Sequence, residues 1–449
     1  MKQSNRSIAV RIAVAAALAG AISLDAQADA IVDWNVRSDA LITQSKLGTP
    51  PAIRVMAFVQ TAAYDAVNTV SQRYPAAGTE ADAARNASMN AAVAAAHRAT
   101  LAKLIPAQQG SIDTAYREAL AQIPDGPAKH AGIGAGESAA QALFARRADP
   151  ADPRAHPYRP QAHPGVYVPT VTPAAPHWPQ RSPWLMTHSA QFRPAAPPDL
   201  TSERWSQDYD EVKAYGAKAS IKRTAEQTEI ARFWEYSLPA IYFGVVRSVA
   251  SAPGRDITRN AQLFAAVAQA MDDAMIGVFD AKYHYNFWRP DTAIRNGDRD
   301  GNDRTERDAA WVPFIDNPLH PEYPSAHSIL ASAVAAVLQA EIGEDRTPEL
   351  TTTSPTAQGV ARRWTSLEAF AREVVEARVY QGVHYRTSTE VGAAMGRQIG
   401  ELAASKLLGR SVTAGAPARS AQRSLSADYA NAAGADLDLG SAGLSLIHI

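Results

Sequence analysis

Cysteine is absent from the 449 residues of the sequence. This absence excludes disulfide bonds, thiolate metal sites and cysteine nucleophiles. Charge is also sparse: 20% of the residues are charged and the formal net charge is −1, so neither nucleic acid nor an anionic membrane is favoured as a partner. Glycine-rich phosphate loops of the P-loop and dinucleotide-binding types are missing as well.

Hydrophobic residues make up 46% of the sequence, which is typical of a globular protein, and the length suggests two or three packed units. Alanine is abundant, apolar residues recur at helical spacing, and the alternation typical of strands is scarce. We therefore predict an all-α fold built of helical bundles. The predicted helices cover residues 50–70, 82–106, 107–123, 128–146, 201–215, 223–250, 257–281, 325–341, 361–381 and 387–408.

The first 28 residues have the pattern of a secretory signal peptide. Basic residues precede a short apolar run, and Ala26-Gln27-Ala28 fits a small-x-small cleavage site. The apolar run is short for crossing a bilayer, and no later run is long enough. We therefore expect residues 1–28 to be removed and the protein to be exported to the periplasm or the extracellular space, without an integral membrane segment.

Composition divides the rest of the chain into four segments. Residues 29–148 are predicted to form an N-terminal helical region. Residues 149–200 contain thirteen prolines, too many for a helix or a sheet, but their aromatic residues indicate an ordered loop. Residues 201–410 are predicted to form a second helical bundle. Residues 411–449 are small and polar, and we expect a disordered tail.

The stretch DAKYHYNFWRPDTAIR, residues 280–295, combines two cations with several aromatic residues. Lys282 and Arg289 are seven residues apart, or two helical turns, and Pro290 is expected to end the helix. Two cations at a helix end, surrounded by aromatic rings, are suited to holding an anion. The alternative is a solvated basic face beside core aromatics.

The stretch HPEYPSAHS, residues 320–328, lies at the predicted start of a helix. The free N–H groups of a helix start favour an anion. Ser325 adds a hydroxyl there, and His327 adds a group that titrates near neutral pH. The alternative is a serine N-cap with an incidental histidine.

The stretch EARVYQGVHYRTSTEVG, residues 376–392, places Arg378 and His384 six residues apart, which is off-phase for one continuous helix. Gly382 is predicted to end the helix so that His384 turns back toward Arg378. The alternative is a helix C-terminus stabilised by two basic residues.

Together, the three stretches supply two guanidinium groups, an ammonium group, a hydroxyl, backbone donors and two imidazoles, which suit a tetrahedral oxyanion.

The order K-x6-RP, PS-x-H and R-x5-H resembles the signature of the superfamily that joins type 2 phosphatidic acid phosphatases, bacterial class A acid phosphatases and vanadium-dependent haloperoxidases. Residues 320–327, HPEYPSAH, are similar to the HPxYPSGH form of the bromoperoxidases, and residues 34–74 resemble the N-terminal helical region of exported proteins of the haloperoxidase branch. The resemblance implies helical bundles of the vanadium haloperoxidase and acid phosphatase type, with the site between helices and residues 201–410 as the catalytic bundle.

The resemblance also implies residue roles. His384 matches the histidine that bonds vanadium or, in the phosphatases, attacks phosphorus. His327 matches the acid–base histidine, and His320 matches a group near bound peroxide; with Lys282 these form the expected catalytic set. Five groups match the oxyanion clamp: Lys282, Arg289, Ser325, the backbone N–H of Ala326, and Arg378.

The sequence departs from the family pattern at three positions. Ala326 replaces a glycine, Ala377 replaces the serine before the arginine, and Ser388 replaces the aspartate four residues after the histidine. A neutral His384 still needs a partner for its second nitrogen. The candidates are Ser388, Glu390 and a backbone carbonyl.

The resemblance implies a vanadate-dependent haloperoxidase, with bromide as the expected halide. Vanadate is the implied cofactor, and phosphate is expected to fit the same site. Hydrogen peroxide, halide and small organic acceptors are the implied partners, and a homo-oligomer is compatible with the sequence. Two alternatives remain: a secreted acid phosphatase acting through a phosphohistidine at His384, and a non-catalytic oxyanion-binding protein.

Residues 297–308, GDRDGNDRTERD, form one further candidate site. Asp298, Asp300 and Asn302 alternate like the start of a calcium-binding loop, but the terminal glutamate does not have the required spacing. We therefore predict a turn here.

Overall fold

The structure is a computed structural model that describes residues 29–74, 86–147, 158–343 and 347–410. The predicted signal peptide and the predicted tail lie outside these residues. Within the described part of the chain, no helix has the length and apolar character needed to cross a membrane.

The N-terminal region contains five α-helices in its described residues. They are α1 (Ala30–Gln44), α2 (Thr49–Ser71), α3 (Met89–Leu104), α4 (Gln109–Ala121) and α5 (Pro127–Arg146). Side-chain caps and prolines in the first turn mark where they begin: Ser88 caps α3, and proline lies in the first turn of α2 and of α5. The helix predicted over residues 82–106 therefore starts later than expected, whereas α2, α4 and α5 confirm their predictions to within two residues.

The second region contains eight α-helices and one hairpin in its described residues. The helices are α6 (Glu203–Tyr215), α7 (Ala225–Phe233), α8 (Pro239–Ala250), α9 (Ile257–Tyr285), α10 (Pro290–Arg295), α11 (Ala326–Ile342), α12 (Leu367–Tyr380) and α13 (Arg386–Ala403). The strands β1 (Leu350–Thr353) and β2 (Ala361–Trp364) pair antiparallel. The predicted all-α class is confirmed, because this hairpin is small beside the helices.

Two further predicted helices are wrong in part. The helix expected over residues 223–250 is divided into α7 and α8, because a residue before proline avoids the helical conformation and Leu238 is extended before Pro239. The helix expected over residues 361–381 begins only at Leu367, after the N-cap Ser366. Its first four residues pair instead with β1, a partner that the pattern of one segment does not reveal.

Helix α9 is the centre of the fold. It is buried along almost its whole length and packs against α2 of the first region and against α11 and α13 of the second. It ends at Asn286, whose backbone is left-handed with φ of 48°. The two regions therefore share one core, and Lys282 lies in the last turn of its central helix.

The described proline-rich residues, 158–200, have no α-helix and are hydrogen-bonded to the end of α9 and to the segment that precedes α11. The N–H of Tyr167 donates to the backbone oxygen of Asn286 at 2.8 Å, and the N–H of Trp288 donates to the backbone oxygen of Gly165 at 3.1 Å. Three tyrosine hydroxyls donate to backbone oxygens of this segment: those of Tyr283, Tyr285 and Tyr323. The segment is thus part of the wall around the region in which the sequence motifs lie.

Small residues bring α13 close to α11. Three glycines four residues apart in α13 are so near to α11 that a Cβ at each would lie 2.7 Å or less from a backbone oxygen: Gly392, Gly396 and Gly400. The first of these oxygens belongs to Ser325, the N-cap of α11. This close approach places the start of α13 beside the start of α11.

Two glycines also fix the loop between α12 and α13. Gly382 has a φ of +75°, and a Cβ there would lie 2.3 Å from the backbone oxygen of Gly216. The loop therefore crosses the end of α6 at a distance that only glycine permits. The expectation that Gly382 follows the end of a helix is confirmed, because α12 ends at Tyr380.

Candidate active site

The three motifs converge at one end of the second region. Lys282 is in the last turn of α9, Arg289 immediately precedes α10, and His327 is in the first turn of α11. Arg378 is in the last turn of α12, and His384 lies in the loop before α13. All five residues are buried: His327 is 9% exposed, and the other four are at most 1% exposed.

Arg289 links the three motifs. Its Nη1 donates to the backbone oxygen of Val383 at 2.7 Å and lies 3.3 Å from Nε2 of His384. Its Nη2 and Nε donate to the backbone oxygen of His320 at 2.9 and 3.1 Å. Burial lowers the pKa of this guanidinium, and the nearby Glu322 opposes that shift. Because the planar fork serves several acceptors at once, a lysine here would not replace it.

Lys282 holds the backbone of the second motif. Its Nζ donates to the oxygens of Pro321 at 3.0 Å and Glu322 at 2.8 Å. Burial lowers the pKa of Lys282 well below its ordinary value, and Arg289 lowers it further. Since an ammonium group has three N–H donors, one remains for a ligand.

Arg378 is oriented by a neighbouring amide. Its Nη1 donates to the side chain of Gln381 and, at 3.3 Å, to the backbone oxygen of Trp234. Burial lowers the pKa of Arg378 to about 9, with Arg289 as the next contribution. Its Nε is buried and has no hydrogen-bond partner among the described residues. A guanidinium in that condition is suited to an anionic ligand.

Ser325 is the N-cap of α11, as one interpretation of the sequence predicts. Its Oγ accepts from the Ser328 N–H at 3.4 Å and from the Ser328 hydroxyl at 3.0 Å. Both bonds use its oxygen, so its own hydroxyl hydrogen remains to donate. Ala326 is the first residue of the right-handed helix, so alanine fits where the family has glycine. The first N–H groups of a helix have no partner within it.

His327 is a buried, neutral imidazole. Burial lowers its pKa well below the ordinary value, and the three nearby cations lower it further, with Arg378 the largest of them. The backbone of Tyr236 opposes this lowering of the pKa. Nε2 of His327 has no partner among the described residues. This nitrogen is therefore free to exchange a proton with a ligand.

His384 is paired with a carboxylate that the sequence analysis did not identify. Its Nδ1 lies 2.7 Å from Oε1 of Glu322, whereas Oγ of Ser388 lies 3.5 Å from the same nitrogen. The candidate Glu390 is wrong, because it forms an ion pair with Arg204 at 3.0 Å. Ser388 is at most a weak second contact. Burial raises the pKa of Glu322 to about 7, and burial lowers that of His384 well below its ordinary value.

The contacts of His384 determine which nitrogen carries its proton. Arg289 can only donate, so Nε2 of His384 is the acceptor and holds the lone pair. Nδ1 then carries the hydrogen and donates it to Glu322. A neutral histidine in this tautomer, with its other N–H held by a carboxylate, is the usual form of a metal-ligating imidazole.

His320 lies beside this group. Its Nδ1 is 3.1 Å from Nη2 of Arg289, and its ring packs on Phe279 with the centroids 5.2 Å apart. Burial lowers its pKa well below the ordinary value, and Lys282 lowers it further. The same nitrogen also lies 3.2 Å from the backbone oxygen of Pro321.

Residues 297–308 form the predicted turn. Oδ2 of Asp300 accepts from the Trp205 indole at 2.8 Å and from the Thr305 hydroxyl at 2.7 Å, and Oδ1 accepts from the Asn302 N–H at 2.9 Å. The carboxylate oxygens therefore hold the loop together. Among the described residues, no group of three or more acidic or histidine side chains is placed to hold a metal cation.

Two residues of the site escaped the sequence analysis. Glu322 pairs with His384 and Gln381 orients Arg378, and both side chains are 0% exposed. The signal for Glu322 was its position inside HPEYPSAH, where a charged residue stands within a motif expected to be buried. Gln381 gave no comparable signal.

Comparison with known proteins agrees with this geometry. Residues 262–411, which contain all three motifs, match the family model of the VCPO second helical-bundle domain. The chain is 28% identical to the vanadium chloroperoxidase of Curvularia inaequalis in an alignment 258 residues long that covers 44% of this chain. The match spans about two-fifths of that relative, 41% of its length.

Solved structures extend the likeness to both regions. A bacterial vanadium-dependent iodoperoxidase superposes with a TM-score of 0.71 at 24% identity, covering 84% of this chain and 95% of that one. The holo form of a bacterial vanadium-dependent chloroperoxidase superposes with a TM-score of 0.64 at 19% identity, covering 81% of this chain and 93% of that one. The chain has the vanadium haloperoxidase fold. The predicted resemblance to that branch is thereby confirmed, together with the expected helical bundles.

Proposed function

We propose that the chain is a vanadate-dependent haloperoxidase, which oxidises a halide with hydrogen peroxide to hypohalous acid and accepts bromide. The observation that carries this proposal is the neutral His384, held by Glu322, inside a buried group of three cations. Lys282, Arg289 and Arg378 each contribute to lowering the pKa of both His327 and His384, so the cations and the imidazoles lie within one electrostatic site.

The charge balance of this site fits an oxyanion. Three buried cations share this site with the buried carboxylate of Glu322, and an excess of buried positive charge is costly unless an anion compensates it. Nε of Arg378 and Nε2 of His327 are buried polar atoms without partners in the described part of the chain. These residues therefore fit vanadate, and phosphate equally.

The chain would contribute binding, orientation and proton transfer. His384 would bond vanadium through Nε2, and the oxygens would be held by the clamp and the start of α11: Lys282, Arg289, Arg378, Ser325 and the N–H of Ala326. Bound vanadate activates hydrogen peroxide toward halide without a change in its own oxidation state. The reaction consumes peroxide, halide and a proton, and it yields hypohalous acid and water. Nε2 of His327 would accept a proton from hydrogen peroxide.

A phosphatase would use the same residues differently, with His384 as nucleophile and His327 as leaving-group acid. The fold favours the haloperoxidase, since the likeness to haloperoxidase structures covers both helical regions. Similarity of HPEYPSAH to the bromoperoxidase form of the motif supports bromide. We further propose export and action on small organic acceptors outside the cytoplasm, which the pattern of residues 1–28 supports.

One purified preparation tests these alternatives. It is assayed with vanadate and hydrogen peroxide for the oxidation of bromide, iodide and chloride, and in parallel for phosphate release from an aryl phosphate. We expect halide oxidation that depends on vanadate and is lost in His384→Ala. Release of phosphate without halide oxidation would favour the phosphatase, and vanadate binding without either turnover would favour a non-catalytic oxyanion-binding protein.

A further inference from the structure

We propose that Glu322 is the positioning residue of His384, in the role that the related superfamily gives to an aspartate four residues after the histidine. This inference rests on the proposed function of His384, because it concerns the imidazole that would bond vanadium. The proposal assigns to Glu322, within HPEYPSAH, a role in holding the motif that contains His384.

The carboxylate of Glu322 holds two donors of the third motif. Its Oε1 lies 2.7 Å from Nδ1 of His384 and accepts the backbone N–H of Tyr385 at 3.1 Å. One oxygen therefore fixes both the imidazole and the backbone that follows it. Glu322 is 0% exposed, so the bond to the imidazole lies where water cannot replace it.

The backbone of Glu322 is itself fixed by the first motif. Its N–H donates to the oxygen of Phe287 at 2.9 Å, and its own oxygen accepts from Nζ of Lys282 at 2.8 Å. The carboxylate that orients His384 thus belongs to the backbone segment that Lys282 holds in place. A displacement of Glu322 would move the imidazole relative to the clamp.

Ser388 explains why the carboxylate must come from another part of the chain. It stands at the family's aspartate position and is buried, but its Oγ is 3.5 Å from Nδ1 of His384, which is too far for a strong hydrogen bond. Its hydroxyl instead stabilises the charged form of Glu322. Because Nδ1 has one hydrogen to donate, one carboxylate suffices, and Glu322 supplies it from another part of the chain.

The first test needs neither vanadate nor turnover. In protein with ¹⁵N-labelled histidine, the Nδ1 proton of His384 is expected at low field, as for an imidazole bonded to a buried carboxylate. The His384→Gln variant assigns the signal. We expect Glu322→Gln to move it upfield, and the double variant Glu322→Gln with Ser388→Asp to return it toward its wild-type position.

The second test measures the affinity for orthovanadate by calorimetry. Glu322→Gln is expected to weaken binding by about 10- to 100-fold, the range found for partners of metal-ligating histidines. Restoring the aspartate in the double variant is expected to recover most of that loss. Glu390→Gln is the matched control, since this acid lies six residues after His384 but pairs with Arg204, and wild-type affinity is expected.

The outcomes separate the two proposals. An unchanged proton signal and unchanged vanadate affinity in Glu322→Gln would overturn the role of Glu322. Halide oxidation by the wild-type protein would still support the proposed function in that case. A double variant that unfolds at the wild-type temperature but binds orthovanadate as weakly as Glu322→Gln does would also contradict that role. If the wild type binds vanadate and does not oxidise halide, the proposed function fails and the assignment of Glu322 stands.

Discussion

Arg378 donates a hydrogen bond to the side-chain oxygen of Gln381, three residues further along the chain. The amide of Gln381 in turn donates to the backbone oxygen of Ala231, at the end of α7, at 2.6 Å. Arg378 is therefore tied to a helix that contributes no residue to the predicted motifs. The amide of Gln381 restricts the guanidinium of Arg378 to one orientation. Nη1 makes this contact, and Nε of the same guanidinium has no partner among the described residues.

We expect Gln381→Leu to weaken vanadate binding by about 10-fold or more, because loss of a group that orients a ligand usually costs about 10- to 100-fold. Stability should also fall by about 1–3 kcal/mol, since the Ala231 carbonyl loses its buried donor. Calorimetric titration and thermal unfolding measure the two effects. Gln339→Leu is the control, because the side chain of Gln339 donates to the backbone oxygen of Gly343 at an exposed position of α11. Equal affinity in the two variants would argue against an orienting role.

Substitution of the central glycine of α13 tests the helix contact that brings the motifs together. A Cβ at residue 396 would lie 2.2 Å from the backbone oxygen of Ile329, so Gly396→Ala must separate α13 from α11. We expect a loss of about 1–3 kcal/mol, as for overpacked cores, and a lower melting temperature. Gly134→Ala is the matched control in α5, where nothing lies within 4 Å of the new Cβ, and it should be neutral or slightly stabilising. A Gly396→Ala variant as stable as wild type would show that the helices can separate at no cost.

Local patterns predicted most of the helices, because each depends on spacing, caps and prolines within one segment. Helix α11 begins where Pro324 and Ser325 predict, and α12 ends before Gly382 as expected. The predictions were wrong where the outcome depends on another segment. Residues 361–364 form a strand only because residues 350–353 pair with them.

The candidate site shows the same division. The residues of the three motifs could be named from the sequence, since their types and order resemble a known signature. The partner of His384 could not, because Glu322 lies 62 residues earlier and reaches it only through the packing of α13 on α11. The side chains named for that partner, Ser388 and Glu390, are near His384 in sequence, whereas a hydrogen bond depends on proximity in space.

His97 is expected to make the protein less stable at acidic pH. Burial lowers its pKa to about 4 from an ordinary value of 6.5, so as the pH falls below 6.5 the unfolded chain binds a proton that the folded chain does not. Folding stability is therefore lost between pH 6.5 and 4, by about 2 kcal/mol at pH 5. Urea unfolding at pH 7.5 and pH 5 should show a smaller loss in His97→Phe than in wild type. The exposed His130 is the control, and His130→Phe should keep the wild-type pH dependence; equal losses in wild type and His97→Phe would contradict this role of His97.

Binding of an oxyanion should stabilise the folded protein, because it compensates the buried cations around Glu322. For a ligand that binds only the folded state, the gain is about 2.7 kcal/mol at a concentration 100 times its dissociation constant. We expect the melting temperature to rise with orthovanadate and, at higher concentrations, with phosphate, which should compete with vanadate. Arg378→Gln removes one buried cation and should reduce both shifts, whereas Arg363→Gln alters an exposed ion pair with Glu349 and should not. A melting temperature that neither anion raises would mean that the buried cations do not form an oxyanion site, whatever their likeness to the haloperoxidase motifs.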